Sequence, residues 1–328
     1  MITKNFKIIS PPDFGGVLDY SNRINSLLIK KGHRSELILL KKSNANILKK
    51  IRKNDIVIFQ YEAYGYNKNG APLWLLKEFK NIKKKTKNII IFFHEIFADY
   101  KVWHPYFVIS QIQKYICKEL VKISNFWITS NLVYRNWLIK NTIVKKNFLG
   151  HAVSTINRTK KTLKKNSKIL VIFGTEQSRI RVYKNNFEYI KNWINKEKLK
   201  VFDIGPKIRN NEIIHSLNNS IIKIKGKLTS KEVEKFFLKA DYGLFSTEDR
   251  LVEKGGIFST YCDFGIIPIN TYYLNKQRIN KYKSKWFNYL PNLNISRTRI
   301  KRIRKSILNY RKKLSINNHV EIYLNEIV

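Results

Sequence analysis

Short apolar runs rich in Ile, Val and Phe alternate along this chain with stretches whose apolar residues recur every three or four positions. Runs at 6–10, 36–40, 55–60, 89–93 and 126–130 are too short for helices and read as strands buried on both faces. Helical spacing follows them at 17–32, 73–79, 106–124 and 132–139, with a short basic helix at 47–52. Between 150 and 168 the pattern dissolves into Ser, Thr, Asn and Lys, as expected of a linker. A second series then begins. Strands are predicted at 168–173, 200–204, 221–225, 242–247 and 266–270. Helices are predicted at 185–197, 211–217 and 230–240, and 174–181 reads as a loop. Thr229 or Ser230, with Glu232 and Glu234 behind it, marks a helix start. From about 295 the spacing predicts one strongly basic helix, with Ile300, Ile303, Ile307, Leu308 and Leu314 along one side. Strands alternating with helices at this rhythm predict an α/β protein of doubly wound parallel sheets. The expected division is a first domain at 1–155, a second at 166–294 and a C-terminal helix at 295–328.

The stretch 240–270 organises the second series. It reads as strand, polar loop, a helix opened by Gly255 and Gly256, a stop at Gly265, and a strand carrying Pro268. A helix that begins on two glycines leaves backbone N–H groups unobstructed, with the positive end of the helix dipole behind them, and so favours an anion such as phosphate. In an open parallel sheet that end lies at the carboxyl edge of the strands, where ligands bind. The competing reading is a glycine pair that only lets the chain turn.

Length adds that two domains of ordinary size are expected from 328 residues. A formal net charge of +41 suggests a polyanion partner, but the lysines are spread through every segment and read mainly as solvated faces. Cys117 and Cys262 sit in apolar contexts and read as buried free thiols of a reducing compartment. The first residues read as a strand and not as an export signal, and no apolar run approaches the roughly 20 residues of a bilayer span. The expected location is the cytoplasm. Asp-x-Asp is absent and the histidines lack ligand spacing, so no metal and no cofactor are expected.

Several pieces, taken in order, resemble a known family. Gly15-Gly16-Val17 after Pro-Asp-Phe resembles the Gly-Gly-Val loop of retaining GT-B glycosyltransferases. Gly226-Lys-Leu with Glu232-Val233 resembles their second-domain run. Phe173-Gly174-Thr with Arg179, Arg181 and Tyr183, and Lys254-Gly-Gly-Ile-Phe-Ser-Thr-Tyr before Gly265, are similar to motifs of a bacterial, family-4-type branch. The resemblance implies a GT-B fold of two facing Rossmann-like domains, with 1–155 on the acceptor side, 166–294 binding the nucleotide sugar and the helix at 295–328 packing back on the first domain, and it implies transfer of a sugar from a nucleotide-diphosphate donor. It implies that Arg181 and Lys184 clamp the diphosphate, that Arg179, Gly174 and Lys254 stand beside it, and that the N–H groups of Gly255, Gly256 and Ile257 complete the cradle. Gly15 and Gly16 would let the first domain approach donor or acceptor. His94, at the end of a strand, would face sugar or acceptor as a catalytic group, and Glu253 would hold sugar hydroxyls. One departure stands out. The family often has two glutamates separated by seven residues, and Tyr261 takes the place of the second, which usually contacts the nucleotide ribose.

The chemistry fits these residue types, because a departing diphosphate is stabilised without metal by cationic side chains and helix N-termini. The expected function is therefore a metal-independent hexosyltransferase of surface polysaccharide or glycolipid synthesis. Its acceptor would be a saccharide or a lipid-linked saccharide, and its basic C-terminal helix could touch an anionic membrane. Donor base, sugar, acceptor and linkage stay open. Two rivals remain: a basic nucleic-acid-binding protein, for which no nucleic-acid partner is otherwise expected, and a non-catalytic nucleotide-binding relative.

Overall fold

The computed structural model describes residues 3–12, 15–98, 100, 102–156, 158–159, 167–184, 186–218, 221–272, 288–289 and 297–326. Asp13 and Phe14, Asn185 at an expected helix start, part of the expected linker (157 and 160–166) and 295–296 lie outside the described residues. The chain divides into two units, Met1–His151 with Ser315–Val328, and Ala152–Leu314.

The first unit is built on β1 (Asn5–Ser10), β2 (Arg34–Leu39), β3 (Ile56–Tyr61), β4 (Asn88–Phe93), β5 (Phe126–Thr129) and β6 (Lys146–Leu149). Its helices are α1 (Gly15–Lys30), α2 (Ala63–Tyr66), α3 (Trp74–Lys85), α4 (Phe107–Ile123) and α5 (Leu132–Asn141). The strands pair in parallel in the order β2-β1-β3-β4-β5-β6. Every residue of β3 is buried, and β4 is buried from Ile89 to Phe93, as a parallel sheet covered on both faces requires. In place of the expected helix at 47–52, Lys42–Lys50 forms a 3-10 segment.

The second unit contains β7 (Ile169–Phe173), α6 (Glu176–Tyr183), α7 (Phe187–Glu197), β8 (Lys200–Ile204), α8 (Asn211–Asn218), β9 (Ile222–Gly226) and α9 (Ser230–Lys239). After it come β10 (Tyr242–Phe245), α10 (Gly256–Asp263), β11 (Ile267–Asn270), β12 (Asn288–Tyr289) and α11 (Arg297–Arg311). Its sheet is parallel in the order β12-β11-β10-β7-β8-β9. Thr229 caps α9 in a reciprocal box with Glu232. Glu234, also expected to mark that start, is instead buried and accepts hydrogen bonds from Thr159 N and Oγ1.

Where one C-terminal helix is expected, the chain forms two, α11 and α12 (Ile316–Asn325), separated by a 3-10 turn at Lys312–Leu314. Ile303, Ile307 and Tyr310 of α11 are buried in the core of the second unit. The basic helix therefore spends its apolar side there. Helix α12 belongs to the first unit, where Tyr20 of α1 bonds His319 Nδ1 at 2.8 Å and Tyr323 Oη at 3.0 Å.

Candidate functional site

Strand order locates the ligand-binding edge of each sheet. From β7 the chain winds outward to β8 and β9, then crosses to the other side of β7 to lay down β10. The crossover opens a crevice between the carboxyl ends of β7 and β10, the switch point at which open α/β sheets bind ligands.

Gly174 and Gly205 build the floor of that crevice. They follow β7 and β8 with φ of +139° and +156°, conformations that L side chains rarely adopt. A Cβ on Gly174 would meet Ser178 Oγ and would lie 2.6 Å from Ile257 Cδ1. One on Gly205 would meet the carbonyl oxygen of Gly174 and would lie 2.6 Å from Arg179 Nε. The turn at Gly205 thus abuts the Gly174 carbonyl directly, and the Ser178, Arg179 and Ile257 side chains fill the space beside the two glycines. Gly255 is the N-cap of α10, and among the described residues no side chain caps it; its own N–H, expected to complete the cradle, instead donates to Val252 O at 2.9 Å, which leaves those of Gly256 and Ile257. Gly255, Gly256 and Ile257 are half-buried, with one flank against the segment before the second sheet: a Cβ on Gly256 would lie 2.8 Å from Thr155 Cγ2. Thr155 is tied down in turn, its N–H donating to Thr260 Oγ1 at 2.9 Å. On the other side Asn270 accepts from Thr247 N–H at 3.1 Å and fixes the loop after β10.

The cations expected here separate. Residues 174–181, predicted as a loop, instead start α6 at the Thr175 cap, because the Thr175 hydroxyl accepts from Ser178 N–H. Arg181 in the last turn and Lys184 at the C-cap are exposed, and Arg181 Nε reaches only Gln177 O at 3.4 Å. Arg179 is buried, 1% exposed, and forms an ion pair with Asp203 of β8, whose other oxygen accepts from Tyr183 Oη. Burial pushes the Asp203 carboxyl up, and Tyr183 and Arg179 oppose that rise. Among the described residues Arg179 Nε and one terminal nitrogen have no hydrogen-bond partner, so a guanidinium with unspent donors lies under the Gly174–Gly205 floor.

Glu253 and Lys254 end a 3-10 segment, Asp249–Lys254, and both are half-buried. Burial holds the Glu253 carboxyl above the usual carboxylate range, with Lys313 pulling it back. It also raises the Tyr310 hydroxyl, so its surroundings are those of α11.

Tyr261 sits inside the crevice wall. Its hydroxyl accepts from Phe173 N–H at 3.1 Å and donates to Leu244 O at 3.0 Å, spanning the ends of β7 and β10. Its ring covers Gly243, where a Cβ would lie 2.6 Å away. Tyr261 is 0% exposed, so it is a wall component and presents nothing to a ligand. Gly205, Thr155 and Asn270 escaped the sequence reading. Gly205-Pro206 after a strand was the one available signal.

In the first unit the switch point lies between β1 and β3. Gly15 and Gly16 open α1 there, are exposed, and have nothing within 4 Å of an added Cβ. One turn on from Gly16, and on the same face, Tyr20 meets His94 edge-on at 5.4 Å. His94 stacks on Phe92 at 4.4 Å, and its Nε2 bonds Gln60 Oε1 at 2.8 Å. Gly15, Gly16 and His94 therefore share one corner of this unit. Among the described residues no group of three His, Cys, Asp or Glu converges as metal ligands would.

No protein-family profile matches the chain, and no curated protein matches it by sequence. Its fold does match solved structures. A glycosyltransferase from Rickettsia africae superposes with a TM-score of 0.59 over 98% of this chain and 98% of that one, at 12% identity. The alpha-glucosyltransferase AGT, solved in complex with UDP, gives 0.57 over 98% and 95%, at 13% identity. AviGT4, a glycosyltransferase involved in avilamycin A biosynthesis, gives 0.55 over 98% and 97%, at 10% identity. With two parallel-sheet α/β units, this likeness gives the chain the two-domain, Rossmann-like GT-B fold.

Proposed function

We propose that the protein is a glycosyltransferase that moves a sugar from a nucleotide-diphosphate donor to a saccharide or lipid-linked acceptor. The observation that carries this reading is the α10 tip. It is an uncapped, glycine-opened helix start at the switch point of the second sheet, against a floor of two glycine turns with the Arg179 charge beneath. Backbone N–H groups and a buried guanidinium suit a diphosphate, whose charge grows as the glycosidic bond breaks. UDP in the AGT structure supports a nucleotide-sugar donor here. The N–H groups of Gly256 and Ile257 form the cradle in this reading, with Gly255 as the helix cap and Gly174 in the floor, Lys254 lies at its rim, and the exposed Arg181 and Lys184 supply cations to a donor that reaches past the floor. His94, with Gly15 and Gly16, serves the acceptor side, and Glu253 holds a sugar hydroxyl. Retention of configuration, independence of metal, and a cytoplasmic role in surface polysaccharide or glycolipid synthesis complete the proposal.

A thermal-shift screen against UDP-, GDP-, ADP- and TDP-sugars tests it, since a ligand that binds only the folded state must stabilise it. One nucleotide series should raise Tm by several degrees and release free nucleoside diphosphate when acceptor is added. No shift with any donor would remove the reading. A shift without turnover would make the chain a binding relative that has lost catalysis.

A second reading concerns the acceptor. AGT has also been solved with UDP and a 13-mer DNA, and this chain carries a net charge of +41. A DNA acceptor predicts binding that weakens steeply with salt and labelling of the DNA by a radioactive donor.

A further inference from the structure

Large apolar side chains left in solvent are not spread evenly over the protein. Among the described residues, ten of the eighteen lie between Val102 and Val144. They include Val102 at 73%, Trp103 at 79%, Val108 at 63%, Tyr115 at 50%, Ile139 at 48% and Val144 at 99% exposure. On α4 the positions 108, 111, 115 and 122 form one exposed stripe at helical spacing, and on α5 the positions 132, 136 and 139 form another.

Half-buried side chains beside these stripes join the two helices to each other and to the connection before α4. Lys114 of α4 lies over the Phe97 ring at 4.7 Å, Phe97 meets Trp137 of α5 at 4.8 Å, and Lys118 lies over Trp137 at 5.9 Å. The surface is also positive, at about the charge density of the chain as a whole: residues 96–147 contain eight Lys or Arg and two Asp or Glu, with Lys122 paired to Glu119 and Lys146 to Glu326.

We propose that this face of the first unit, comprising α4, α5 and the connection before α4, docks on an anionic lipid bilayer. The proposal deepens the membrane contact suggested above and depends on no step of sugar transfer. Exposed aliphatic side chains partition into the boundary between headgroups and acyl chains, Trp103 suits the interface, and the lysines meet anionic headgroups with their stems lying along the apolar surface. A polynucleotide fits less well, because Val102, Val108, Ile139 and Val144 have no π-face for a base to stack on. The C-terminal helix offers no comparable apolar surface. Its apolar side is buried in the second unit, and Leu308, at 52%, is its one exposed large apolar side chain among the described residues. Among the described residues no helix is long and apolar enough to cross a membrane, so the contact is peripheral.

The test is co-sedimentation of the full chain with phosphatidylcholine vesicles, with and without phosphatidylglycerol. Binding should be roughly tenfold stronger with the anionic lipid, and the double variant I139D/V144D should lose about that factor. The pair V102S/W103S should weaken binding by a separate route. Both pairs are surface changes that leave the circular dichroism spectrum intact, and L308D should bind as the parent does. Equal binding to neutral vesicles, undiminished binding by both pairs, loss of binding by L308D, or a preference for RNA over anionic vesicles would each overturn the proposal.

Discussion

Each unit starts a helix on two glycines at the switch point of its sheet, yet the two places are built in opposite ways. Among the described residues nothing lies within 4 Å of a Cβ added at Gly15 or Gly16, and one turn on stands the aromatic and imidazole corner of Tyr20 and His94. Around Gly255 and Gly256 the backbone is packed: Gly174, Gly205, Ile257 and Thr155 leave no room for a methyl group at three of the glycines, and a buried ion pair lies below. A site whose donors are fixed before the ligand arrives suits a constant group such as a diphosphate. An open helix start suits a ligand of variable shape. The same sequence signal, Gly-Gly ahead of an apolar helix, thus serves two physical ends.

Substitutions can break this comparison. Arg179→Met leaves Asp203 buried without its cation, which should cost about 3–5 kcal/mol in a urea melt and unfold the second unit first. A loss below about 1 kcal/mol would mean that the pair does not hold the floor. Gly205→Ala combines φ strain with a clash against the Gly174 carbonyl and should cost about 3 kcal/mol by the same melt.

Acid should act on the other unit. His319 is buried and neutral, its pKa driven down to about 4 by burial, while the unfolded chain takes up that proton near the ordinary value of 6.5. The unfolded state therefore binds more protons below pH 6.5. Stability from this group is complete above that pH and falls by about 3 kcal/mol as the pH approaches 4. His319→Gln should flatten that part of the stability profile, and an unchanged slope would assign the acid response to other groups.

Tyr261→Phe removes the hydroxyl between Phe173 N–H and Leu244 O and should cost about 1–2 kcal/mol. Donor affinity should fall with it, since the wall of the crevice loosens. Gly16→Ala should be the mildest change, within about 0.5 kcal/mol in stability, because its surroundings are empty. A large loss there would erase the contrast between the two helix starts.

Much of this architecture was legible in the order of residues. The Ile and Phe runs of β3 and β4, the Thr229 cap and the Gly255–Gly256 helix start all carry local signals that tertiary packing did not override. Strand β6 did not show, because KNFL at a sheet edge is only half-buried and mixes polar with apolar residues. Helix α6 did not show because EQSRIRVY has little apolar periodicity; its start depends on the Thr175 cap, and Arg179 supplies part of its buried side. That burial is invisible locally, since the compensating Asp203 comes from another strand. The role of Tyr261 was hidden for the same reason. Its partners lie on two strands that adjoin only after the crossover, so the residue standing at a ribose-contact position in the resemblance proves to be part of the wall.

The central claim is that the packed glycine crevice of the second unit receives a diphosphate. Hydrogen exchange at single-residue resolution, with and without a saturating nucleoside diphosphate, tests it most directly. The account predicts slowed exchange at the amides of Gly256 and Ile257, with little change at Gly15 and Gly16, and none at Gly174 and Gly255, whose N–H groups are already bonded to Ile204 O and Val252 O. Protection confined to the first unit, or none at the α10 tip with ligand demonstrably bound, would contradict it.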